Sequence, residues 1–589
     1  MEYIMEKSKT KTKRKTKKKA KLQGSVARLK TLILTDTSEK ARTLKKLLGR
    51  QYSVISSDGF LCDLPKTRLG IDVENNFEPK YITVRGKGEL LKQIRKDSIS
   101  SRRIYAVTDN TPEGEMIALH YCELFGINSS SKFRVILNEI TKESLKESIK
   151  SARAIDMKLV EIFEVRRAIN RLFLYNLNPI FWHTVYRGVT INYPQAILLK
   201  LICEQEKKLP QLQDPLAIDE LQEEWDKPLT WKSLQMIASR ELNLHIGVIS
   251  IVLRQLYEGV NINNTCTGLI TYYRGENIVP SSEMHTPETL KDFLTPNHLK
   301  IYDLIWRHFK NDKSKNPTFA ELKPMNRYND YLLMRDLEDK GLPWADIFSM
   351  AICSMLKRGY VELTDGGYKP TSLGMEIFNV LKEYFSTLIT AKFINKMESQ
   401  INSFVSGKDD KIDVIEAFYK QLNNLLTKVH DKLGNDLTPK EPPAIETGEI
   451  CDKCGRKMLL RRSRYGPFLA CEGYPECKNT KPYVEYLEEK CPKCGGRLTK
   501  RKINRGRVFF SCENYPNCDF STWDEPQNNT CEFCGSTLLI HRFKDRAPML
   551  YCSNDKCSSR NEHPINKILD HLREKSEITK QKKSKKATK

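Results

Sequence analysis

Twelve of the seventeen cysteines fall into three sets of four with one repeated spacing. Cys451, Cys454, Cys471 and Cys477 read C-x2-C-x16-C-x5-C, and Cys491, Cys494, Cys512 and Cys518 read C-x2-C-x17-C-x5-C. Cys531, Cys534, Cys552 and Cys557 read C-x2-C-x17-C-x4-C, and the repeat period is 40 residues. Four thiolates saturate a tetrahedral Zn2+ and leave no position for a substrate, so the spacing predicts three structural zinc sites. Each unit is too short to bury a core, and the metal must supply its folding energy. The plainer alternative is free thiols in a degenerate repeat. Cys62, Cys122, Cys203, Cys266 and Cys353 lie outside the pattern and read as small buried residues.

A second constellation is acidic. The apolar run RLKTLILTD ends in Asp36 and precedes SEKARTLKKLLG, which has helical spacing and a Gly49 stop. RRIYAVTD ends in Asp109 and precedes TPEGEMIALHYCELFG, a helix with Thr111 as N-cap and Pro112 at its first position. Both acids therefore sit where a parallel strand turns into a helix, the edge of an open α/β sheet that receives ligands. With Glu113 in the following first turn they could hold Mg2+. The simpler reading, that acids at helix N-termini answer the macrodipole, is the stronger one on pattern alone.

Basic and aromatic residues interleave among the cysteines: Arg461, Arg462, Arg464, Tyr465 and Phe468, then Lys500, Arg501, Lys502, Arg505, Arg507, Phe509 and Phe510, then Tyr515 and Trp523. Such a sheet suits single-stranded nucleic acid, because bases stack on rings while cations follow the phosphates. Packing of the rings against the zinc knuckles explains them equally well. Upstream, residues 138–208 read as helical, with a basic face containing Arg153, Arg166, Arg167 and Arg171. Residues 345–385 read as helix, hairpin (YVEL-TDGG-YKPT) and helix, a winged-helix-like order that serves DNA binding or plain scaffold.

Length and charge bound the rest. A chain of 589 residues exceeds what one core supports, so several domains are expected. The net charge is +24, and residues 7–21, with ten basic side chains and no acid, together with residues 575–589, with seven basic and one acidic, hold most of it. Like-charge blocks cannot pack, so these read as disordered arms that condense on a polyanion. Nucleic acid fits best, although an anionic membrane surface or nuclear import would take the same composition. No apolar run approaches a membrane span, and lysine stands where a signal peptide needs its apolar core. The expectation is an intracellular protein with no membrane partner, cytoplasmic or nucleoid-bound in preference to nuclear.

Several stretches together resemble type IA DNA topoisomerases of the bacterial topoisomerase I kind: SSDGFLCDLPKTRLGIDVENNFEPKY (56–81), the strand–helix acid site (104–125), NEIT (138–141), RRAINRLFLYNLNPIFW (166–182), GLITYYR (268–274), RGYVEL (358–363) and the three ribbons. The resemblance runs from about residue 30 through residue 557. It implies a multidomain fold of α/β plus α: a basic arm (1–24), a Toprim-like domain (25–137), a shortened helical, winged-helix-like core (138–432), a linker (433–448), zinc ribbons at 449–484, 485–524 and 525–562, and a basic tail (563–589). In that family the tyrosine of Gly-Leu-Ile-Thr-Tyr attacks a backbone phosphate of single-stranded DNA, and this position is Tyr272. Arg274 matches the family's arginine and Lys40 the Toprim lysine that touches the scissile phosphate. Asp36 takes the place of the acid that protonates the leaving oxygen, and Asp109 and Glu113 take those of Mg2+ ligands. Arg166, Arg167, Arg171 and Gln195 would meet the DNA backbone, and Tyr465, Phe468, Phe509 and Phe510 its bases.

The departures from the family converge on the chemistry. Where it has Glu-Ser-Pro-x-Lys, this chain has Asp36-Thr37-Ser38-Glu39-Lys40, an acid one methylene shorter. The family's Asp-x-Asp-Arg-Glu is Asp109-Asn110-Thr111-Pro112-Glu113, which loses a carboxylate and an arginine. Phe60 replaces a histidine, Asn170 an aspartate, and Tyr193-Pro194-Gln195-Ala196 an Arg-Val-Gln-Ser of which Gln195 alone persists. Leu342 to Phe348 replaces Ile-Gly-Arg-Pro-Ser-Thr-Tyr, the arch segment after Glu206 is cut to about twenty residues, too few for a multi-stranded sheet, and most of the domain that follows the tyrosine is missing. The expectation is a monomeric protein that binds single-stranded or underwound DNA, or RNA, with Zn2+ in place and Mg2+ weak or absent. Its strand cleavage by Tyr272 is impaired, or lost altogether in a binding descendant.

Overall fold

The structure, a computed structural model, describes residues 30–211, 228–263, 265–272, 277–311, 326–342, 345–407, 410–443, 445–463, 466–502, 508–531, 533–541, 549–554 and 556–557. Both basic tails, Arg274, Tyr465 and the stretch 212–227 lie outside these residues. The chain divides into two compact units, residues 1–63 with 81–160, and residues 64–80 with 161–589.

The first unit is built on a parallel sheet in the order β2–β1–β3–β4, with β1 at Lys30–Thr35, β2 at Tyr52–Ser56, β3 at Ser101–Val107 and β4 at Arg134–Val135. Central β1 is apolar without alternation, as a strand covered on both faces must be, and Leu32, Ile33 and Leu34 are fully buried. Helices α1 (Ser38–Leu47), α2 (Gly88–Ile99), α3 (Pro112–Phe125) and α4 (Lys142–Lys150) complete this unit. The caps follow the sequence signals: the Thr111 side chain accepts from the Gly114 amide, Pro112 opens α3, and Gly126 closes it at φ 68°.

The segment 138–208, expected to be helical throughout, is three helices: α4, then α5 (Met157–Thr184), then α6 (Tyr193–Lys208). The second break falls where Gly188 takes φ 101° and Asn192 caps α6 ahead of Pro194. In the second unit there follow α7 (Trp231–Glu241), α8 (Ile246–Glu258), α9 (Pro296–Phe309) and α10 (Asp330–Asp339). The helix–hairpin–helix is present as α11 (Ala345–Arg358), β5 (Val361–Thr364), β6 (Gly367–Pro370) and α12 (Ser372–Tyr384). Asp365-Gly366 forms the two-residue connection that an Asp-Gly pair between strands favours. Helix α6 packs against α11 and α12, and α13 (Ala391–Val405) packs against α14 (Lys411–Leu433).

Three small antiparallel sheets end the described chain, over Ile445–Pro482, Glu485–Thr522 and Glu525–Cys552. Among the described residues, the buried cluster around each cysteine set adds little to the cysteines themselves: Met458 and Leu469 in the first, Leu498 in the second.

Candidate functional site

In the first unit, β1 and β3 lie side by side and in register, Thr35 beside Val107, so the acids that follow them emerge at one sheet edge. Lys40 reaches that edge from the first turn of α1, where the Thr37 side chain accepts from its amide. Its ammonium, 1% exposed, donates to Asp36 Oδ1 at 2.7 Å and to Asp109 Oδ1 at 2.5 Å. The Asp109 amide in turn donates to Asp36 Oδ2 at 3.0 Å. Asp36, Lys40 and Asp109 are thus brought together. Glu113 is exposed, and the Thr111 hydroxyl is occupied in capping α3.

Beneath this triad lies an ion pair that the sequence reading did not single out. Arg134, fully buried in β4, donates from Nε to Glu115 Oε1 at 2.9 Å, from Nη1 to the carbonyls of Thr108 and Val135, and from Nη2 to the carbonyl of Asp109 at 2.7 Å. Arg153 and the Asp156 amide complete the Glu115 carboxylate. The signal was available: an arginine inside the apolar run FRVIL has no place in a buried strand unless it is paired. Its effect is to fix the backbone from which Asp109 projects.

The donor set does not suit Mg2+, which asks for several carboxylate or water oxygens at about 2.0–2.1 Å. The facing oxygens of Asp36 and Asp109 are engaged by Lys40, and the third position of the acidic run offers a hydroxyl that is already in use.

Tyr272 belongs to the second unit. It ends a short extended segment in which Leu269 and Ile270 are fully buried and Ile270 bridges Pro280. The Tyr272 ring packs edge-on against Trp231 at the start of α7, with centroids 4.9 Å apart, and against Tyr257 of α8 at 5.2 Å. It is half-buried. Its expected partner Arg274 lies outside the described residues.

Three residues proposed for backbone binding have internal uses. Arg171 Nε donates to the Leu69 carbonyl at 2.8 Å and Nη2 to those of Pro65 and Arg68, and Arg166 pairs with Glu398 at 2.9 Å. Gln195 is buried, and its Oε1 accepts from the Asn192 amide in a reciprocal capping box. Arg167 is half-buried in α5.

Each cysteine set converges. Its four sulfur atoms lie within 4.8 Å of one another, with Sγ–Sγ separations of 3.7 and 3.2 Å in the first ribbon, 3.7 and 3.3 Å in the second, and 3.7 and 3.4 Å in the third. A tetrahedron with Zn–S bonds of about 2.3 Å has edges of about 3.8 Å, so the donors fit Zn2+. The glycine after each C-x-x-C pair, Gly455, Gly495 and Gly535, takes φ 71°, 74° and 70° and returns its amide to the first cysteine's carbonyl. Amide groups also address the sulfurs: the Cys494 thiol is held down at about 6 by the Gly496 amide and then by the Asn514 side chain.

Phe509 and Phe510 are neighbours on one strand and so face opposite ways. Phe510 is buried, while Phe509 is half-buried and stands 5.7 Å from the ring of Trp523. Phe468 is half-buried, and Tyr465 lies outside the described residues. The more open rings are Tyr474, Tyr486, Tyr515, Trp523 and Phe533, each at least 45% exposed. Tyr474 and Tyr515 occupy the same place, three residues after the third cysteine, and their Tyr-Pro signal was legible in the repeat. Phe533, inside a C-x-x-C knuckle, gave no periodic signal.

Residues 31–140 match the Toprim domain, and residues 448–486 and 488–527 match the Topoisomerase DNA binding C4 zinc finger. The full-length topoisomerase I of Thermotoga maritima has a similar structure, with a TM-score of 0.60 and 22% identity over 77% of this chain and 97% of that one. No helix among the described residues is long and apolar enough to cross a membrane. With a Toprim α/β domain, a mixed α/β core similar in fold to topoisomerase I and three four-cysteine zinc ribbons, the chain is similar to type IA topoisomerases in fold and domain make-up.

Proposed function

We propose that this protein binds single-stranded or underwound DNA through its ribbons and basic tails, acts as a monomer, and cleaves and rejoins strands through Tyr272 slowly if at all. The observation that carries the binding half is the set of open rings on zinc ribbons of the topoisomerase DNA-binding type. Arg461 and Arg501 stand exposed on the same sheets. Stacking of this kind contributes about 1–3 kcal/mol per base and tolerates any sequence. RNA would be bound as well unless a 2′-hydroxyl is read, and the nucleoid is the compartment we favour.

The cleavage half rests on Tyr272 as nucleophile with Arg274 as cation. A phenol is a weak nucleophile at its ordinary pKa and depends on such partners. Against efficient turnover stand the shortened acid Asp36, the lost carboxylate at Thr111 and the shortened arch segment. Removal of one stabilising contact costs about a hundredfold in rate. A purely binding descendant is favoured by one further observation, that Arg166, Arg171 and Gln195 are spent on internal bonds.

Relaxation of negatively supercoiled plasmid by the full chain and by Tyr272→Phe decides between the two. Slow relaxation that vanishes in the variant supports the enzyme. Absence of relaxation with single-strand binding retained supports the binding protein, and absence of both overturns the proposal.

A further inference from the structure

We infer that the acid pair of the Toprim domain is closed by the protein's own lysine, so that Lys40 is the cation of this site and excludes a divalent metal from it. The inference rests on the Toprim architecture and not on strand cleavage by Tyr272.

Position comes first. The Lys40 ammonium lies 2.7 Å from Asp36 and 2.5 Å from Asp109 and occupies the space a bridging ion would need. It does not swing there from solvent. Its residue is 1% exposed, and its backbone is fixed by the Thr37 cap in the first turn of α1. The residues that carry the carboxylates are tied as well. Asp36 accepts the Asp109 amide, and the Asp109 carbonyl is gripped by Arg134 and crossed so closely by Gly114 that a β-carbon there would come within 2.0 Å of it.

Charge comes second. Asp36, Asp109 and Glu115 are matched by Lys40, Arg134 and Arg153, all joined in one network of contacts. A divalent ion entering this balanced cluster would have to displace Lys40, leaving a desolvated ammonium without partners. Glu113, the acid that completes the run, is exposed and adds one charge at the rim. Thr111 contributes a hydroxyl committed to its cap.

The test uses the zinc-loaded full chain with Mn2+ as a paramagnetic probe, counted by electron paramagnetic resonance. Wild type and Asp109→Asn are expected to bind the same number of Mn2+ ions, and Mg2+ is expected to leave the melting of the first unit unchanged at constant ionic strength. Lys40→Met should melt earlier by on the order of 5–10 °C, gain one Mn2+ site and recover its Tm when Mg2+ or Mn2+ is added. A Mn2+ ion bound by wild type and lost in Asp109→Asn overturns the inference, with Asp36→Asn in its place should that variant not fold. A Lys40→Met chain that melts early yet gains no ion overturns the claim that lysine is what excludes the metal. None of these readouts depends on plasmid relaxation, so failure of the cleavage proposal leaves them intact.

Discussion

His120 is 2% exposed in α3, flanked by the rings of Phe60 and Tyr81 at centroid distances of 5.8 and 4.9 Å. Among the described residues neither of its ring nitrogens has a hydrogen-bond partner. Phe60 stands where the resembled family carries a histidine, so a titratable ring is present in this neighbourhood but turned into packing. Burial holds His120 down at about 4, against a weaker upward pull from Asp63. The depressed folded value means that the unfolded chain takes up the proton first as pH falls. The stabilisation is present above about 6.5 and is lost as pH falls through about 4, a change on the order of 3 kcal/mol. Hydrogen exchange of α3 amides followed from pH 7 to pH 4 is expected to show this slope in wild type and lose most of it in His120→Phe. At the same scale Tyr272 is held by rings on both sides, so Tyr272→Phe keeps the packing and isolates the hydroxyl's chemistry.

Among the elements, the start of α3 is tightly constrained by its cap and by a close backbone approach. Gly114 is needed because its α-carbon lies over the Asp109 carbonyl, and a methyl group there would overlap the backbone. Gly114→Ala is therefore expected to destabilise the first unit by about 1–3 kcal/mol, the range of overpacking. Removing the cap by Thr111→Ala should cost about 1 kcal/mol. Urea unfolding monitored in the first unit measures both, and a Gly114→Ala cost below about 1 kcal/mol would remove the argument from close approach.

The ribbons show the opposite economy, with little apolar interior and four thiolates in its place. Structural Zn2+ supplies on the order of 10 kcal/mol to such a unit. Chelation should thus abolish the near-ultraviolet signal of the ribbon rings while the helical signal of the body persists. Ribbons two and three are joined by the Thr537 hydroxyl bonding to the Lys490 carbonyl, and by Asp524 accepting from Tyr551 and pairing with His541. Asp524→Ala should let the third ribbon unfold at a lower chelator concentration than the second.

For the whole molecule the governing quantity is charge. The tails hold most of an excess of +24, and under the proposed function each phosphate contact they made would release counterions. Removing residues 1–24 and 575–589 should weaken single-strand binding and flatten its dependence on salt, with the ribbons supplying the residual, less salt-sensitive affinity. Fluorescence anisotropy at a series of salt concentrations reads the slope directly. An unchanged slope would assign binding to the folded parts alone.

The cysteine repeat, the two strand-to-helix turns and the cap at Thr111 were decided by the sequence alone, because each depends on contacts between residues close along the chain. Only the tertiary structure decided what those parts face. It put Lys40 between two acids that are 73 residues apart, and it set Arg134 beneath them. It also turned Arg171 and Gln195 inward and buried Phe510. A side chain's chemistry is readable from its type, but whether it meets a ligand or a neighbour depends on which distant residue arrives first to claim its hydrogen bonds.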